Sequence, residues 1–231
     1  MDYAVPVPAL HTLAVAGRGE RFPVNRVFCV GRNYAAHARE MGKDPDREPP
    51  FFFMKPANAA IDATRVATVP YPPKTANYHH EIELIIAIGS GGRNIPVSEA
   101  LQHVYGYAVG LDMTRRDLQL EARDKGRPWE FGKSFASSAP IGALHRAADV
   151  GHPASAAITL TVNGQPRQSS DIAKLIWSVS ECIAYLSEYE ALEPGDIIMT
   201  GTPEGVNAVL PGDVMEGAIA GLGEIRVTVT A

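Results

Sequence analysis

The chain has 231 residues, of which 45% are hydrophobic and 20% charged, a composition typical of a globular protein with one sizeable buried core. The formal net charge is −5, and without a block of basic residues the sequence argues against nucleic acid as a partner. No stretch approaches the roughly 18 to 20 apolar residues that cross a bilayer, and no signal-peptide pattern is visible. We therefore expect a cytoplasmic protein with no membrane partner.

The two cysteines point to a reducing compartment. Cys29 and Cys182 each lie in an apolar stretch, and no CxxC pair is present. This pattern predicts two buried, reduced thiols rather than a disulfide.

The 21 glycines and 18 prolines are spread along the chain, which favours many short strands joined by turns. Within residues 1–25 we expect one or two short strands. Further strands are predicted over 26–30, 51–54, 79–88, 104–113, 196–200, 213–216 and 224–230, and helices over 34–41, 115–124 and 172–189. The segment 158–162 followed by Asn163-Gly164 predicts a hairpin with a type I′ turn.

Most of the predicted strands are not separated by helices long enough for a parallel crossover. The expected fold is therefore mixed α/β and β-rich, with mixed, mostly antiparallel sheets and a few short helices. Residues 1–25 are interpreted as a short N-terminal annex, and residues 26–231 as the catalytic domain.

The segment from His79 to Ile86 carries two acids in an apolar strand. Side chains alternate between the two faces of a strand, so Glu81 and Glu83 project together. Two carboxylates buried side by side repel each other, so they require a cation, basic side chains or water. The alternative is a solvated strand face.

A third acid, Asp112, ends an apolar strand just before a polar helix. It is either a helix N-cap or a ligand. If Asp112 lies beside Glu81 and Glu83, three oxygen donors without His or Cys favour Mg²⁺ or Mn²⁺ over zinc. Sequence alone does not place the three together.

His37 and Glu40 stand three residues apart on the predicted helix over 34–41. On one helix face, the carboxylate can orient the imidazole and raise its basicity, so the pair could activate a water molecule. The alternative is an ordinary surface pair.

Two lysines have apolar neighbours: Lys55 follows Phe51 to Met54, and Lys133 lies between Phe131 and Phe135. Each either reaches solvent or compensates a buried anion. Arg116 and Gln119, four and seven residues after Asp112, share a face of the following helix.

The glycine-rich segment 200–206 follows an apolar strand and contains Thr202. Its backbone amides and the Thr202 hydroxyl could hold a substrate carboxylate, although a structural turn explains the glycines equally well. The segment matches neither GxxxxGK[ST] nor GxGxxG.

Together these segments resemble the fumarylacetoacetate hydrolase family, from about Arg26 to the C-terminus. Six motifs in the family's order carry the resemblance: Val30-Gly31-Arg32-Asn33-Tyr34 with His37 and Glu40, Phe53-Met54-Lys55-Pro56, His80-Glu81-Ile82-Glu83, Gly110-Leu111-Asp112-Met113-Thr114, Gly132-Lys133-Ser134-Phe135 and Thr200-Gly201-Thr202-Pro203-Glu204-Gly205-Val206. Each motif is weak alone, but the ordered set is specific.

The resemblance implies a β-sandwich roll, a homodimer and one Mg²⁺ or Mn²⁺ per subunit. It makes Glu81, Glu83 and Asp112 the metal ligands. The catalytic residues it implies are His37, Glu40 and Lys133. The substrate contacts it implies are Arg116, Gln119 and Thr202. Arg32, Asn33 and Lys55 are further candidates for substrate binding, with Arg32 as the partner of a distal carboxylate.

The implied activity is hydrolysis of a carbon–carbon bond in an acylpyruvate, because the chain looks most like the short acylpyruvase-type members. The expected substrate is fumarylpyruvate, cleaved to fumarate and pyruvate in gentisate breakdown. A decarboxylase, tautomerase or isomerase on the same scaffold is the alternative, and a silent binding protein is a third. The His37–Glu40 pair favours hydrolysis, since a decarboxylation needs no water-activating base.

Overall fold

The computed structural model describes residues 2–36, 48–65 and 68–231. The strands are β1 (Thr12–Ala14), β2 (Arg21–Pro23), β3 (Val27–Gly31), β4 (Phe51–Lys55), β5 (Ala60–Asp62), β6 (Thr68–Pro70), β7 (Tyr78–His80), β8 (Ile82–Ile88), β9 (Val104–Leu111), β10 (Thr114–Arg115), β11 (Ala139–Ile141), β12 (His145–Arg146), β13 (Ala157–Val162), β14 (Gln165–Asp171), β15 (Ile197–Met199), β16 (Asn207–Ala208), β17 (Val214–Ile219) and β18 (Glu224–Thr230). The helices are α1 (Arg116–Asp124), α2 (Glu130–Lys133), α3 (Ala147–Val150) and α4 (Val179–Tyr189), and short 3₁₀ turns cover Ala57–Ala59, Ala100–His103 and Ile172–Lys174.

Two larger sheets organise the chain. One runs β4-β3-β15-β8-β9-β11-β5, with β12 added beside β9, and the other runs β14-β13-β17-β18-β6. Pairing is antiparallel except for β3 with β15, β5 with β11 and β6 with β18. The predicted mixed, mostly antiparallel, β-rich fold is confirmed.

Strand β8 separates the two parts of the core. All of its residues are buried, and alternate side chains enter different clusters. Leu84 and Ile86 pack with residues of the five-stranded sheet and of α4, whereas Ile85 and Ala87 pack in the second cluster. Glu83 belongs to the face of Ile85 and Ala87, so the acid that ends this row lies at the edge of an apolar core.

The β1–β2 hairpin covers part of that second cluster. Leu13 and Phe22 are buried within it, and Arg21 contacts Asp62 at 2.5 Å. The predicted division between an annex over 1–25 and a catalytic domain over 26–231 stays a prediction.

Two predicted elements are each divided into two in the structure. The strand predicted over 79–88 is divided at Glu81, between β7 and β8. The helix predicted over 172–189 is a 3₁₀ turn followed by α4, which starts only at Val179. The Ser178 hydroxyl accepts from the Glu181 backbone and the Glu181 carboxylate accepts from Ser178, a capping box that fixes this start.

Other local predictions are confirmed. Asn163 and Gly164 have φ values of 52° and 74°, as a type I′ turn requires. Cys29 and Cys182 are free and buried. The longest described helix, α4, has 11 residues, and within the described ranges no helix is long and apolar enough to span a membrane.

Candidate metal centre and substrate cleft

The three acids singled out in the sequence lie together. Glu81, Glu83 and Asp112 are buried, and each offers a carboxylate oxygen within 4.8 Å of the others. Because the donors are all hard oxygens, the cluster suits Mg²⁺ or Mn²⁺ better than a softer metal.

Pairing of β8 with β9 creates this arrangement. The antiparallel register sets Ile82 opposite Leu111 and Glu83 opposite Gly110. Immediately beyond it, the Asp112 N–H donates to the Glu81 carbonyl at 2.8 Å. Glu83 within β8, Glu81 just before β8 and Asp112 just after β9 therefore reach the same edge of the sheet.

Lys133 is the cation at the centre of the acidic cluster. Its ammonium donates to Glu81, Asp112 and the Thr114 hydroxyl, each at 2.7 Å. Burial by itself would lower the pKa of this ammonium, but the charges of Asp112 and Glu81 outweigh burial and raise the pKa. The Lys133 side chain is thus held charged against two of the three acids.

Glu83 has a different environment. Its carboxylate accepts from the Gly201 N–H at 2.7 Å. Burial, followed by repulsion from Asp112 and Glu81, raises the pKa of Glu83 well above its usual value. Of the three acids, Glu83 is thus the one whose negative charge neighbouring groups compensate least.

Helix α1 presents two of the predicted substrate contacts. Arg116 bonds the Glu81 carboxylate and donates to Gln119 Oε1 at 2.5 Å. Arg116 Nε also lies 3.4 Å from His79 Nδ1, and burial together with the guanidinium charge lowers the pKa of His79 to about 4. A neutral His79 accepts from Arg116 and holds the guanidinium in place.

Gly132 permits the close packing of α2, which carries Lys133, against α1. A Cβ at Gly132 would lie 2.8 Å from the Gln119 backbone, closer than packed carbon atoms approach. Glycine at this position therefore lets Lys133 and Gln119 face the same cleft.

The segment after β15 brings Thr202 to the cleft, and Asn33 fixes that segment. Asn33 Nδ2 donates to the Thr200 carbonyl at 2.8 Å and to the Trp177 carbonyl at 2.9 Å, while its Oδ1 accepts from Trp177 N–H at 2.7 Å. Asn33 is thus engaged with the backbone, and its predicted substrate contact stays a prediction.

Lys55 lies beside Asp112. Its buried ammonium is 2.8 Å from Asp112 Oδ1 and donates to Ser138 at 2.9 Å, and it also bonds the Lys133 carbonyl. These contacts orient Asp112 and leave little donor capacity for substrate. The predicted direct contact between Lys55 and substrate stays a prediction.

One cleft collects most of the remaining predicted residues. It is lined by Arg32, Glu81, Glu83, Asp112, Arg116, Gln119, Lys133 and Thr202, together with Val30, Gly31, Phe53, Leu120, Arg123, Trp129 and Gly201. Arg123 and Trp129 were not predicted to belong to the site. Arg123 lies one helical turn beyond Gln119, so its position in the cleft could have been predicted from the helical spacing. No feature of the local sequence marks Trp129 as a cleft residue.

Aromatic rings form one wall of this cleft. Trp129 lies 5.8 Å from Phe53 and 5.5 Å from Phe51, measured between ring centroids. The Lys133 ammonium is 5.1 Å from the Phe53 centroid, and the Arg32 guanidinium is 5.3 Å from the Phe51 centroid. The wall is therefore apolar and flanked by positive charge.

The predicted pair His37 and Glu40 lies outside the described residues. Of the helix predicted over 34–41, only the first three residues are described: Ala35 and Ala36 are helical, whereas Tyr34 forms a β-bridge with Leu175.

Comparison with known proteins agrees with the motifs and the geometry. The model of the fumarylacetoacetate (FAA) hydrolase C-terminal family matches residues 26–230. The chain belongs to the fumarylacetoacetate hydrolase family. Among curated relatives, the fumarylpyruvate hydrolase of a Ralstonia species is 49% identical over 191 residues, covering 82% of this chain and 98% of that protein.

Two further members show the range of named activities. The crystal structure of fumarylpyruvate hydrolase from Pseudomonas aeruginosa in complex with Mn²⁺ and pyruvate superposes with a TM-score of 0.97, at 58% identity and 99% coverage of both chains. The mitochondrial oxaloacetate tautomerase of Homo sapiens is 42% identical over 196 residues, covering 85% of this chain and 87% of that protein.

Proposed function

We propose that this protein is a divalent-metal-dependent hydrolase that cleaves fumarylpyruvate to fumarate and pyruvate. The observation that supports this most directly is the Pseudomonas aeruginosa protein: it is 58% identical over nearly the whole chain, carries that activity in its name and was crystallised with Mn²⁺ and pyruvate.

The chemistry of the donor set fits a bound Mg²⁺ or Mn²⁺. Glu81, Glu83 and Asp112 supply three oxygen donors from a buried cluster, which leaves further coordination positions for water and substrate. When bound, the cation would supply Lewis-acid polarisation of the 2-oxo acid end of the substrate.

The charge of the cleft suits a dicarboxylate. Lys55, Lys133 and Arg116 contact Asp112 and Glu81, and together their three positive charges balance the three carboxylates of the cluster. A divalent cation would then leave two positive charges, the number that a doubly charged anion neutralises.

The pyruvate end of the substrate would lie against the polar residues. Gln119, Arg116 and Thr202 line the cleft beside the acidic cluster and can bond a carboxylate. Lys133, held charged in the same place, would stabilise the negative charge that develops as the carbon–carbon bond breaks.

The acyl end would lie along the aromatic wall. Trp129 and Phe53 offer a flat apolar surface to a conjugated acyl group, and Arg32 and Arg123 supply positive charge in the same cleft. A terminal carboxylate on the acyl group would find its partner there, which favours fumaryl over acetyl.

Water activation is assigned to His37 and Glu40, on the motif that they share with the family. His37, oriented by Glu40, would take a proton from water, and the hydroxide would attack the distal keto carbon. The electron pair of the broken bond passes to the pyruvate carbon, giving fumarate and the enolate of pyruvate, which is then protonated.

The proposal extends to the pathway, the cellular compartment and the assembly of the protein. We place the reaction in the gentisate pathway of the cytoplasm and expect a homodimer, supported by resemblance to the family. Light scattering on the purified protein measures the mass of the assembly, and a monomer would contradict the expected dimer.

A second candidate follows from the relatives named as oxaloacetate tautomerases, at 42% identity in Homo sapiens. Tautomerisation passes through the same type of enolate but needs no hydrolytic water. The His37–Glu40 pair makes it the less favoured activity.

A turnover assay tests the proposed function. Metal-free protein and protein with added Mg²⁺ or Mn²⁺ are given fumarylpyruvate, and loss of diketo absorbance is followed while fumarate and pyruvate are quantified. We expect metal-dependent release of both acids in equal amounts, and slower cleavage of acetylpyruvate. Tautomerisation or decarboxylation of oxaloacetate without fumarylpyruvate cleavage would overturn the proposal, and equal rates on both acylpyruvates would overturn the assignment of the acyl end.

Two substitutions separate the assigned roles. Glu81→Ala is expected to abolish metal binding and activity together. The control is Glu121→Ala, which changes an exposed residue of α1 and should preserve both.

His37→Ala is expected to retain metal affinity while the rate of hydrolysis falls about 100-fold or more. Metal affinity is measured by calorimetry, and loss of metal from the His37 variant would refute its assignment as the base.

A further inference from the structure

Gln168 is a buried polar residue outside every motif of the family resemblance. It lies on β14, where its neighbours on both sides are exposed, yet the residue itself is 1% exposed. A buried amide must find hydrogen-bond partners, because an unpaired one costs several kcal/mol. Its partners connect β14 to the cleft.

The partners of Gln168 fix the orientation of its amide. Oε1 accepts from the Ile82 N–H at 3.0 Å, and Nε2 donates to the Pro203 carbonyl and to Thr202 Oγ1, each at 2.8 Å. A backbone N–H only donates and a proline carbonyl only accepts, so the amide cannot be reversed. Both Nε2 hydrogens are therefore committed.

His80 supports the same orientation from the other side. It is fully buried, and its Nδ1 lies 3.1 Å from Gln168 Oε1. Since Oε1 is an acceptor, Nδ1 must be the donor. The amide oxygen is thus held by two donors, the Ile82 N–H and the His80 ring.

Gly205 allows the segment with Thr202 to lie against β14. Its φ is +94°, and a Cβ there would overlap the carbonyl oxygen of Arg167, the residue before Gln168. Only glycine combines this backbone conformation with so close an approach. Gly205 therefore lets the segment with Thr202 and Pro203 approach β14 to hydrogen-bonding distance.

The fixed Gln168 amide determines the orientation of the Thr202 hydroxyl. Because Oγ1 accepts from Gln168, the hydroxyl hydrogen must point to a different acceptor, and Thr202 lines the cleft. We infer that Gln168 is a positioning residue that sets the Thr202 hydroxyl as a hydrogen-bond donor to the carboxylate of the 2-oxo acid end of the substrate. This inference rests on the proposed function, because it takes pyruvate as the bound product.

A double-mutant cycle tests the inference. The Kd of pyruvate for Mn²⁺-loaded protein is measured by calorimetry, and kcat and KM for fumarylpyruvate are measured in parallel. Gln168→Met removes the Nε2 donor at nearly constant side-chain volume. It is made in three backgrounds: the wild-type protein, Thr202→Ser and Thr202→Val. Ser169→Ala, an exposed neighbour on β14, is the control.

We expect Gln168→Met to weaken pyruvate binding about tenfold in the wild-type and Thr202→Ser backgrounds, the loss of roughly one hydrogen bond to a charged group. In the Thr202→Val background, which has no hydroxyl to orient, the same change should have no further effect. Equal losses in all three backgrounds, or no loss in any, would overturn the inference.

A second variant covers the case in which Gln168→Met does not fold because the Ile82 N–H loses its acceptor. Gln168→Glu keeps that acceptor and offers an acceptor in place of the donor, so it draws the Thr202 hydroxyl hydrogen away from the cleft. Unchanged pyruvate binding by this variant would overturn the inference. If the wild-type protein cleaves fumarylpyruvate but the cycle is additive, the inference fails alone; if it neither binds pyruvate nor cleaves fumarylpyruvate, the proposed function fails as well.

Discussion

Lys133 shows how a single residue of the cleft combines structure and chemistry. Its three donors are used on Glu81, Asp112 and Thr114, so the ammonium is rigid before substrate arrives. A fixed charge requires no reorganisation when negative charge develops next to it, and preorganised charges of this kind account for large parts of enzymatic rate enhancement.

Substitution of Lys133 tests that role. For Lys133→Met we expect kcat on fumarylpyruvate at saturating Mn²⁺ to fall about 10²- to 10³-fold, while metal affinity is kept because the three carboxylates remain. Steady-state kinetics and calorimetry measure the two quantities. Lys125→Met, which removes an exposed lysine paired with Glu121, should change neither, and a drop of only a few-fold at position 133 would refute the role.

At the scale of an element, α4 shows how local sequence sets a boundary. The predicted helix began at residue 172, because the apolar spacing continues through the 3₁₀ turn. The structure starts α4 at Val179, since the capping box closes there. The backbone just before it is fixed elsewhere, with Ile176 N–H donating to the Asn33 carbonyl. A capping signal and a distant partner together outweigh hydrophobic periodicity.

The capping box at Ser178 gives a prediction in which stability changes and activity does not. Ser178→Ala removes the hydroxyl that accepts from the Glu181 N–H, so the free energy of unfolding should fall by about 1 kcal/mol. Chemical denaturation measures the change, and kcat/KM should be preserved because Ser178 lies outside the cleft. Ser180→Ala, which keeps the capping box, is the control, and equal destabilisation by both changes would contradict the assignment.

At the scale of the whole molecule, the N-terminal hairpin is part of the hydrophobic core. Leu13, Val15 and Phe22 are at most 6% exposed, and they pack with residues of β3, β8 and β15. By contrast, the segment before His11 is exposed, with Tyr3, Val5, Val7 and Leu10 each more than 60% accessible. The family model begins only at residue 26, although the packed core extends further.

Two truncations test this difference. Removal of residues 1–25 uncovers the cluster that the three buried side chains fill, at roughly 1.5 to 3 kcal/mol each. The sum is comparable to the whole stability of a typical domain, so we expect the shortened protein not to fold stably. Removal of residues 2–10 should leave the melting temperature within a few degrees. A cooperative melting transition in the 26–231 protein near that of the full chain would show that the hairpin is dispensable.

Most of the elements and the chemical character of the site could be predicted from the sequence. Strand spacing, the Asn163-Gly164 turn and the six ordered motifs predict a β-rich fold of this family, because they depend on local backbone preferences and on residue types. The proximity of Glu81 and Glu83 was also predictable, since residues two apart in an extended segment share a face whatever surrounds them.

Contacts between residues that are distant in the sequence could not be predicted and are seen only in the folded structure. Asp112 joins the two glutamates through the β8–β9 register, Lys55 lies beside Asp112, and Gln168 reaches Thr202 across 34 positions. The local sequence does not mark Gln168 or Trp129 as site residues. Gln168 lies in a strand whose sequence is typical of an exposed strand, and a tryptophan in a loop is common. Their positions follow from the packing of β14 and α2 against the cleft, which no short window of sequence contains.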